Sequence, residues 1–574
     1  MSARHLRRSV LFPAVASVAV LGLVACGSSE PPPEADGDVE EQSTEAEGEC
    51  QEYVEAAAEA PEGGDDTFIF AGSADPATMN PYFASDGETF RVARQMFEGL
   101  VGVEPCSADP APLLATDWET SEDGLSTTFT LQEGVQFHDG TPFNAQAVCD
   151  NFEWMNNQPA GPSQSPANSY YWDKLYKGYG DDSIYESCET DGDTGVTISL
   201  NQPFAGFVPS LSLPAFSMQS PTAIAQNGTV QDGGNPMTTE YATNGPVGTG
   251  PFQFESWNRG QEVTLSAFDG YWGEPAKTQN IVVPTISDLG ARRDALLAGE
   301  IDGYDLAAPG DLPKLEEEGM QLVNRPPFNI LYLAFNQSPS SGAPLDDLMV
   351  RQAIAHAIDK EAVANETLPP GSAIADQFMP ASVAGYADDV TTYEFDPERA
   401  EELLAEAGAE DLTLDFNYPT DVSRPYMPDP VATMNVISTQ LEDVGITVNP
   451  VGDAWDPDYL EEISNSSDHD IHVLGWTGDY NDTDNFLGVF FGGETPEWGF
   501  DNPEIFDALT EARGIPVPEE QIPLYEDLTR EVMEFLPGVP IASPVPTLAL
   551  GENVSGYIPS PVNDEVWSSV VVGE

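Results

Sequence analysis

The stretch Val473–Leu487, VLGWTGDYNDTDNFL, decides how the chain is read. Val473, Leu474 and Trp476 read as the end of a buried strand, and Gly475 and Gly478 break the chain into a turn. Asp479, Asp482 and Asp484 then crowd the loop ahead of an apolar run, Phe486–Phe491. A strand end fixes position, glycines let a ligand backbone approach, and a carboxylate beside a Trp can grip a cation. The same residues also suit a plain strand–loop–helix joint with solvated acids, so the rest of the chain has to choose.

At 574 residues the chain exceeds a single core and points to two or three domains. Its 19 basic residues against 98 acidic ones give a net charge of −79. Such a field repels nucleic acid and anionic membrane, and a nucleic-acid partner is not expected. The acids run along the whole length, as in a solvated surface adapted to high salt or high external pH, where like charges are screened or tolerated.

The first residues form an export signal. Arg4, Arg7 and Arg8 make a basic head, Ser9–Ala25 an apolar stretch containing Pro13, and Leu23-Val24-Ala25-Cys26 a close that resembles a bacterial lipobox. The apolar stretch is short for a membrane span of about 20 residues. Cleavage of residues 1–25 would leave Cys26 as the lipidated start. Residues 26–66 read as an acidic disordered tether, with Pro31-Pro32-Pro33 and with Gln51–Ala60 as a short helix near its end. Cys50, Cys106, Cys149 and Cys188 remain, and an even count in an exported chain favours two disulfides. Three pairings are open, and no CxxC spacing argues for metal.

From Thr67 on, the pattern is α/β. Thr67–Ala71 reads as a strand, Val92, Met96 and Leu100 as a helix face, and Thr128–Leu131 as a strand, with Asn144 capping a helix over Ala145–Trp154. Gly245, Gly248 and Gly250 lack GxGxxG order, so no dinucleotide loop is expected; strands follow at Phe252–Trp257 and Val263–Phe268. A helix is expected over Arg292–Gly303, closed at Gly299, and a helix across Val350–Leu368. Asp396 as N-cap, Pro397 at N1 and Gly408 as the stop define the clearest helix in the chain. Strands at Leu412–Tyr418 and Ile446–Val451 then flank a helix over Val431–Val444. His138-Asp139 reads as a turn rather than a catalytic pair. His469 and His472 have metal-like spacing beside Asp468 and Asp470, but residues three apart on a strand face opposite sides. No cofactor, no metal site and no enzyme chemistry are expected, because the five His residues offer no nucleophile–base pair.

GWTGDYNDTDNFL resembles the ligand clamp of the family 5 substrate-binding proteins of ABC importers, the dipeptide-, oligopeptide- and nickel-binding group. The blocks at 112–154, 245–277 and 379–408 resemble the same family in the same order, so the likeness covers about 67–574. It implies an α/β, two-lobed periplasmic-binding-protein-like fold (type II, cluster C) with an extra domain inserted in the first lobe. Residues 67–101, 238–325 and 547–574 would form lobe I, 102–237 the insert, and 326–546 lobe II, with a hinge near Arg325 and Pro546.

The resemblance also assigns roles. Asp479 would hold a peptide α-ammonium, Trp476 would line the pocket, and backbone at Gly475 and Thr477 would meet the peptide main chain. It favours the pairs Cys149–Cys188 and Cys50–Cys106, and a lipid-anchored monomer on the extracellular face that delivers peptides to an ABC permease. Family members hold the peptide carboxylate with basic residues, whereas Ser464–Asp470, SNSSDHD, has none. A nickel chelate, a sugar or a cationic solute is the alternative ligand, and a secreted enzyme a distant third.

Overall fold

The apolar runs settle into three sheets of four or more strands. The computed structural model describes residues 48, 50–58, 60, 64–158, 169–228 and 234–573. The expected export signal, Cys26 and most of the expected tether lie outside the described residues. The first sheet orders seven strands as Gln321–Asn324, Thr547–Leu550, Gly303–Tyr304, Thr67–Ala71, Asn280–Pro284, Glu262–Ala267 and Phe252–Asn258. Thr67–Ala71 runs parallel to both its neighbours, and the outer strands are antiparallel.

The second sheet has six strands, in the order Ala373–Ile374, Gly538–Ser543, Asn329–Phe335, Ile471–Thr477, Thr413–Pro419 and Thr447–Asp453. Asn329–Phe335, NILYLAF, is buried along its whole length, as an uninterrupted apolar run in mid-sheet should be. The third sheet is antiparallel, with strands Ala115–Thr120, Ser126–Leu131, Gly195–Leu200 and Tyr185–Asp191. In the chain it falls between the first sheet's Thr67–Ala71 and Phe252–Asn258. The chain passes between the first two sheets twice, at 325–328 and 544–546, where the Arg325 amide donates to the Pro546 carbonyl at 3.0 Å.

Local chemistry sets the helix ends. In Pro397–Ala407, Asp396 Oδ1 accepts the Arg399 amide at 2.9 Å, and Gly408 closes the last turn at φ +69°. The helix expected across 350–368 is two, Leu348–Ala357 and Lys360–Thr367. Ile358 goes extended, and Asp359 starts again by capping the Ala362 amide at 2.9 Å. The helix expected from Arg292 begins earlier, at Leu289 behind the cap Asp288, and ends at Leu297 ahead of Gly299 at φ +68°.

The end of the expected tether belongs to the folded body. Residues 50–58 are helical, and Cys50 is bonded to Cys106. Lys277 Nζ donates to the Ala57 and Ala60 carbonyls at 3.0 and 3.2 Å, and Asp65 bridges to Val572. An acidic stretch held by a disulfide and by hydrogen bonds to its backbone is not free chain, which corrects the boundary at residue 66. Cys149 is bonded to Cys188, joining the helix Ala145–Asn156 to the edge strand of the third sheet.

Acid also reaches the interior. Glu98 is buried, and its carboxylate accepts Thr249 Oγ1 at 2.7 Å, Tyr271 Oη at 2.9 Å and Trp272 Nε1 at 3.0 Å. Burial pushes it up to about 7 despite those donors. Beside the crossings, Arg325 is fully buried. Nε and Nη2 clasp Glu565 at 2.6 and 2.7 Å, and Nη1 meets Asp305 at 2.7 Å. Arg91 takes the other oxygen of Asp305 at 2.6 Å, and Tyr557 donates to Glu565 at 2.6 Å.

Candidate functional site

Gly475 lies inside the strand Ile471–Thr477 rather than in a turn. A Cβ there would come 2.3 Å from the Ile330 carbonyl and 2.4 Å from the Tyr426 ring, so only glycine fits the strand against both. Gly478 is equally tight against the Phe328 ring. The strand pairs antiparallel with Asn329–Phe335 over its full length, and the Gly478 amide donates to Phe328 O at 2.8 Å. Alternation then turns the main-chain groups of Trp476, Leu474 and His472 toward that neighbour and those of Val473, Gly475 and Thr477 away from it.

On that far side the parallel partner Thr413–Pro419 reaches only as far as Asn417 opposite His472. Tyr459 Oη takes the Val473 carbonyl at 2.6 Å. Gly475 and Thr477 therefore present N–H and C=O groups to an open edge, with no described strand opposite them. Among the described residues, Thr477 Oγ1 and Asn417 Oδ1, and Ser423 Oγ and Arg424 Nε beyond the end of the neighbouring strand, are buried without a partner. Buried polar atoms are rarely left so, and a bound polar molecule would satisfy them.

The acid of the clamp is held by two neighbours. Asp479 Oδ1 accepts the Tyr171 hydroxyl at 2.9 Å, and Oδ2 faces Asn485 Nδ2 at 3.4 Å. Asn485 Oδ1 accepts the Asp479 amide at 2.7 Å and Trp476 Nε1 at 3.4 Å, tying tryptophan and aspartate together. Burial pushes the Asp479 carboxyl up to about 6, against these hydrogen bonds, which pull it down. Trp476 itself packs edge-on to Phe490, with centroids 6.3 Å apart.

The loop beyond Asp479 is stitched to the part of the chain around the third sheet. Tyr480 is buried in that part's apolar core, and Asn481 Nδ2 donates to Asp109 at 2.8 Å. Burial and the neighbouring Asp484 push Asp482 up to about 7. Arg513 answers Asp484 at 3.3 Å.

Of the four residues singled out from the sequence, Gly475, Trp476 and Thr477 thus end one strand and Asp479 lies two positions beyond it. Three others were not found from sequence. Tyr171 and Asn485 hold Asp479. Arg424 stacks on Trp455, its guanidinium carbon 4.1 Å from the ring centroid, and among the described residues no carboxylate comes within 4.0 Å of it. The available signal was its rarity: a cation in a loop of a chain with 98 acids.

His469 and His472 meet after all, with ring centroids 5.0 Å apart, because His469 precedes the strand and the two-residue period does not apply to it. Among the described residues no group of three or more His, Cys, Asp or Glu is arranged to hold a metal. His138 Nε2 contacts the Gly250 carbonyl at 2.9 Å, and Asp139 accepts from Ser220 at 2.6 Å, so the two serve separate loops.

A strand edge with no described strand opposite it, ending beside a carboxylate, is equipment for holding a solute. Residues 109–497 match the bacterial extracellular solute-binding proteins, family 5 (middle region), and the chain belongs to that family. It is similar to the heme-binding protein A of Haemophilus influenzae, 30% identical over 530 residues that cover 90% of this chain and 94% of that one. It is also similar to the dipeptide-binding protein of Escherichia coli, 27% identical over 88% of this chain and 94% of that one. In structure it resembles the periplasmic binding protein DppA of Helicobacter pylori in complex with the peptide STSA. The TM-score is 0.73 at 25% identity, over 88% of this chain and 98% of that one. The two-lobed α/β fold is that of the family.

Proposed function

We propose that the protein captures peptides between two lobes and hands them to a membrane permease, as the exported, lipid-anchored binding component of an ABC importer. The observation that carries this is the open edge at Gly475 and Thr477 ending in Asp479. An extended peptide adds there as a strand, and its α-ammonium reaches the carboxylate. Arg424, whose Nε is buried without a partner among the described residues, supplies the cation that the segment Ser464–Asp470 lacks and is the candidate partner for a peptide carboxylate. The relatives named for dipeptide binding and the complex with STSA support peptide as the ligand.

In this reading the first sheet centres lobe I (67–101, 238–325, 547–574), the third sheet the insert (102–237), and the second sheet lobe II (326–546). The paired crossings at Arg325 and Pro546 are the hinge. Cys26 carries the lipid, and fractionation of Cys26→Ser should find the protein released from membranes. The function is binding without catalysis, by a monomer.

Calorimetry on four combinations tests the clamp: wild type and Asp479→Asn, each with a free and an N-acetylated peptide. Asp479→Asn should cost about 2 kcal/mol, roughly thirtyfold in Kd, for the free peptide. Acetylation should hurt the wild type far more than the variant. Equal losses in both proteins would reduce Asp479 to a turn residue.

A further inference from the structure

The loop that carries Asp479 is fastened on both sides of it. Before it, the Gly478 amide donates to the Phe328 carbonyl at 2.8 Å, on the first crossing. Beyond it, Asn481 Nδ2 donates to Asp109 Oδ1 at 2.8 Å, across 372 positions of chain. The two ties border one cavity of about 70 Å³, lined by both partners of the second bond, by Cys106 and by Pro326, Pro327 and Phe328. A cavity supplies no packing, so on that side a hydrogen bond rather than shape complementarity sets where the loop sits.

Asp109 is itself held. It ends the turn Glu104–Asp109, which joins the paired strands Val101–Val103 and Pro110–Pro112. The Glu104 amide donates to the Asp109 carbonyl at 2.9 Å, and the Ser107 amide to the Glu104 carbonyl at 3.2 Å. Ser107 Oγ donates to Asp109 Oδ2 at 3.3 Å and accepts the Asp109 amide at 3.1 Å, which leaves Oδ1 for Asn481. Within the turn, Cys106 stands at φ +71°, a left-handed conformation that a residue with a side chain seldom takes unless its surroundings hold it there, and its sulfur is bonded to Cys50. A turn of fixed shape thus offers one carboxylate oxygen to the loop.

We infer that Asp109 is a positioning residue for ligand capture: through Asn481 it fixes the Asp479 carboxylate against Tyr171, in the orientation that meets a ligand ammonium. This rests on the reading of Asp479 as the ammonium's partner. Asn481 lies two positions past Asp479, and the hydroxyl that Asp479 must keep, Tyr171 Oη, is 2.9 Å from its carboxylate. A shift of the loop at Asn481 is carried directly to that contact.

The experiment is calorimetry with the dipeptide Ala-Leu from pH 5 to 8. Asp109→Ala and Asn481→Ala should each weaken binding by about threefold to tenfold at the top of that range, the worth of one hydrogen bond. The two together should weaken it no more than either alone, since they remove the same bond. Asp109→Asn keeps an oxygen for Asn481 and should bind within about twofold of the wild type. The pH profile separates positioning from mere support of the loop. Removing a negative charge near Asp479 favours its ionised form and by itself moves the midpoint of binding down, whereas losing the Tyr171 donor moves it up. Asp109→Ala should therefore raise the midpoint from about 6, and Asp109→Asn, which loses the same charge, should not. Wild-type binding by Asp109→Ala, equal losses in Asp109→Ala and Asp109→Asn, or losses with no rise in midpoint would each overturn the inference. Asp479→Asn keeps the parent reading apart: where it abolishes the midpoint, those outcomes bear on Asp109 alone. Where it leaves the midpoint in place, or where the wild type does not bind Ala-Leu, both readings fall together.

Discussion

The hydroxyl of Tyr171 donates to the carboxylate of Asp479 at 2.9 Å although the two residues lie 308 positions apart. One belongs to the helix Tyr170–Tyr176 in the chain segment around the third sheet, and the other follows the strand Ile471–Thr477 of the second. The candidate site is therefore assembled where two parts of the chain meet, and its chemistry depends on both.

Binding should depend on pH through this pair. Asp479 titrates at about 6 and must be ionised to hold an ammonium. Affinity for a peptide with a free N-terminus should be steady above that value and fall toward tenfold per pH unit below it. Tyr171→Phe removes a donor that favours the anion, so the fall should begin at higher pH. Calorimetry from pH 5 to 8 decides; an Asp479→Asn profile as steep as the wild type would exclude Asp479 as the titrating group.

Arg424 should matter only for ligands with a free carboxylate. Arg424→Gln keeps a planar group over Trp455 but removes the charge. It should weaken peptide acids by roughly tenfold to thirtyfold, at about 1.5–2 kcal/mol, and leave peptide amides much less affected. Parallel losses for acid and amide would show that the residue merely supports the loop.

The network at the crossings should be expensive to open. Arg325→Met leaves Glu565 buried with only Tyr557 and the Ser560 amide as partners, and leaves Asp305 to Arg91. The expected loss is about 3–5 kcal/mol in urea denaturation. Arg325→Met with Glu565→Gln should recover part of it, since the orphaned charge is gone; purely additive losses would contradict this account.

Glu98 should make the fold less stable as pH rises. Its folded value, about 7, stands above the ordinary 4.5, so its protonated form is the one that the interior favours. The advantage is fully present below about pH 4.5, declines with rising pH and is lost above about 7, amounting to about 3 kcal/mol. Glu98→Gln still accepts from Thr249 and Trp272 through its oxygen and can donate to Tyr271 through its amide. The difference in stability between the two proteins should therefore grow with pH from 4.5 to 7, as read by urea melts, and a constant difference would rule the mechanism out.

Much of the fold was readable in the chain because it is locally determined. Asp396-Pro397 and Gly408 bound a helix whatever surrounds it, and alternating or continuous apolar runs mark strands at either sheet's centre. What failed was decided by tertiary contact. Gly475 looked like a turn residue, but it is glycine because Ile330 and Tyr426 approach it from other segments. The break at Asp359 was hidden by an apolar pattern that continues across it. In the site, Asp479 could be singled out by its motif, whereas Tyr171 and Arg424 have no motif. Their roles come from where three separate segments converge, and that is not a property of any one of them.

The bond between Cys50 and Cys106 decides where a pull on the N-terminal chain is felt. Force applied ahead of Cys50 enters the body at Cys106 and bypasses Thr67 and the first sheet's central strand. Cys106 shares the lining of a small cavity with Pro326, Pro327 and Phe328, on the first of the two crossings, and with Pro561. A leash tied there has a short lever arm about the crossings. Tension on it exerts little torque on either sheet.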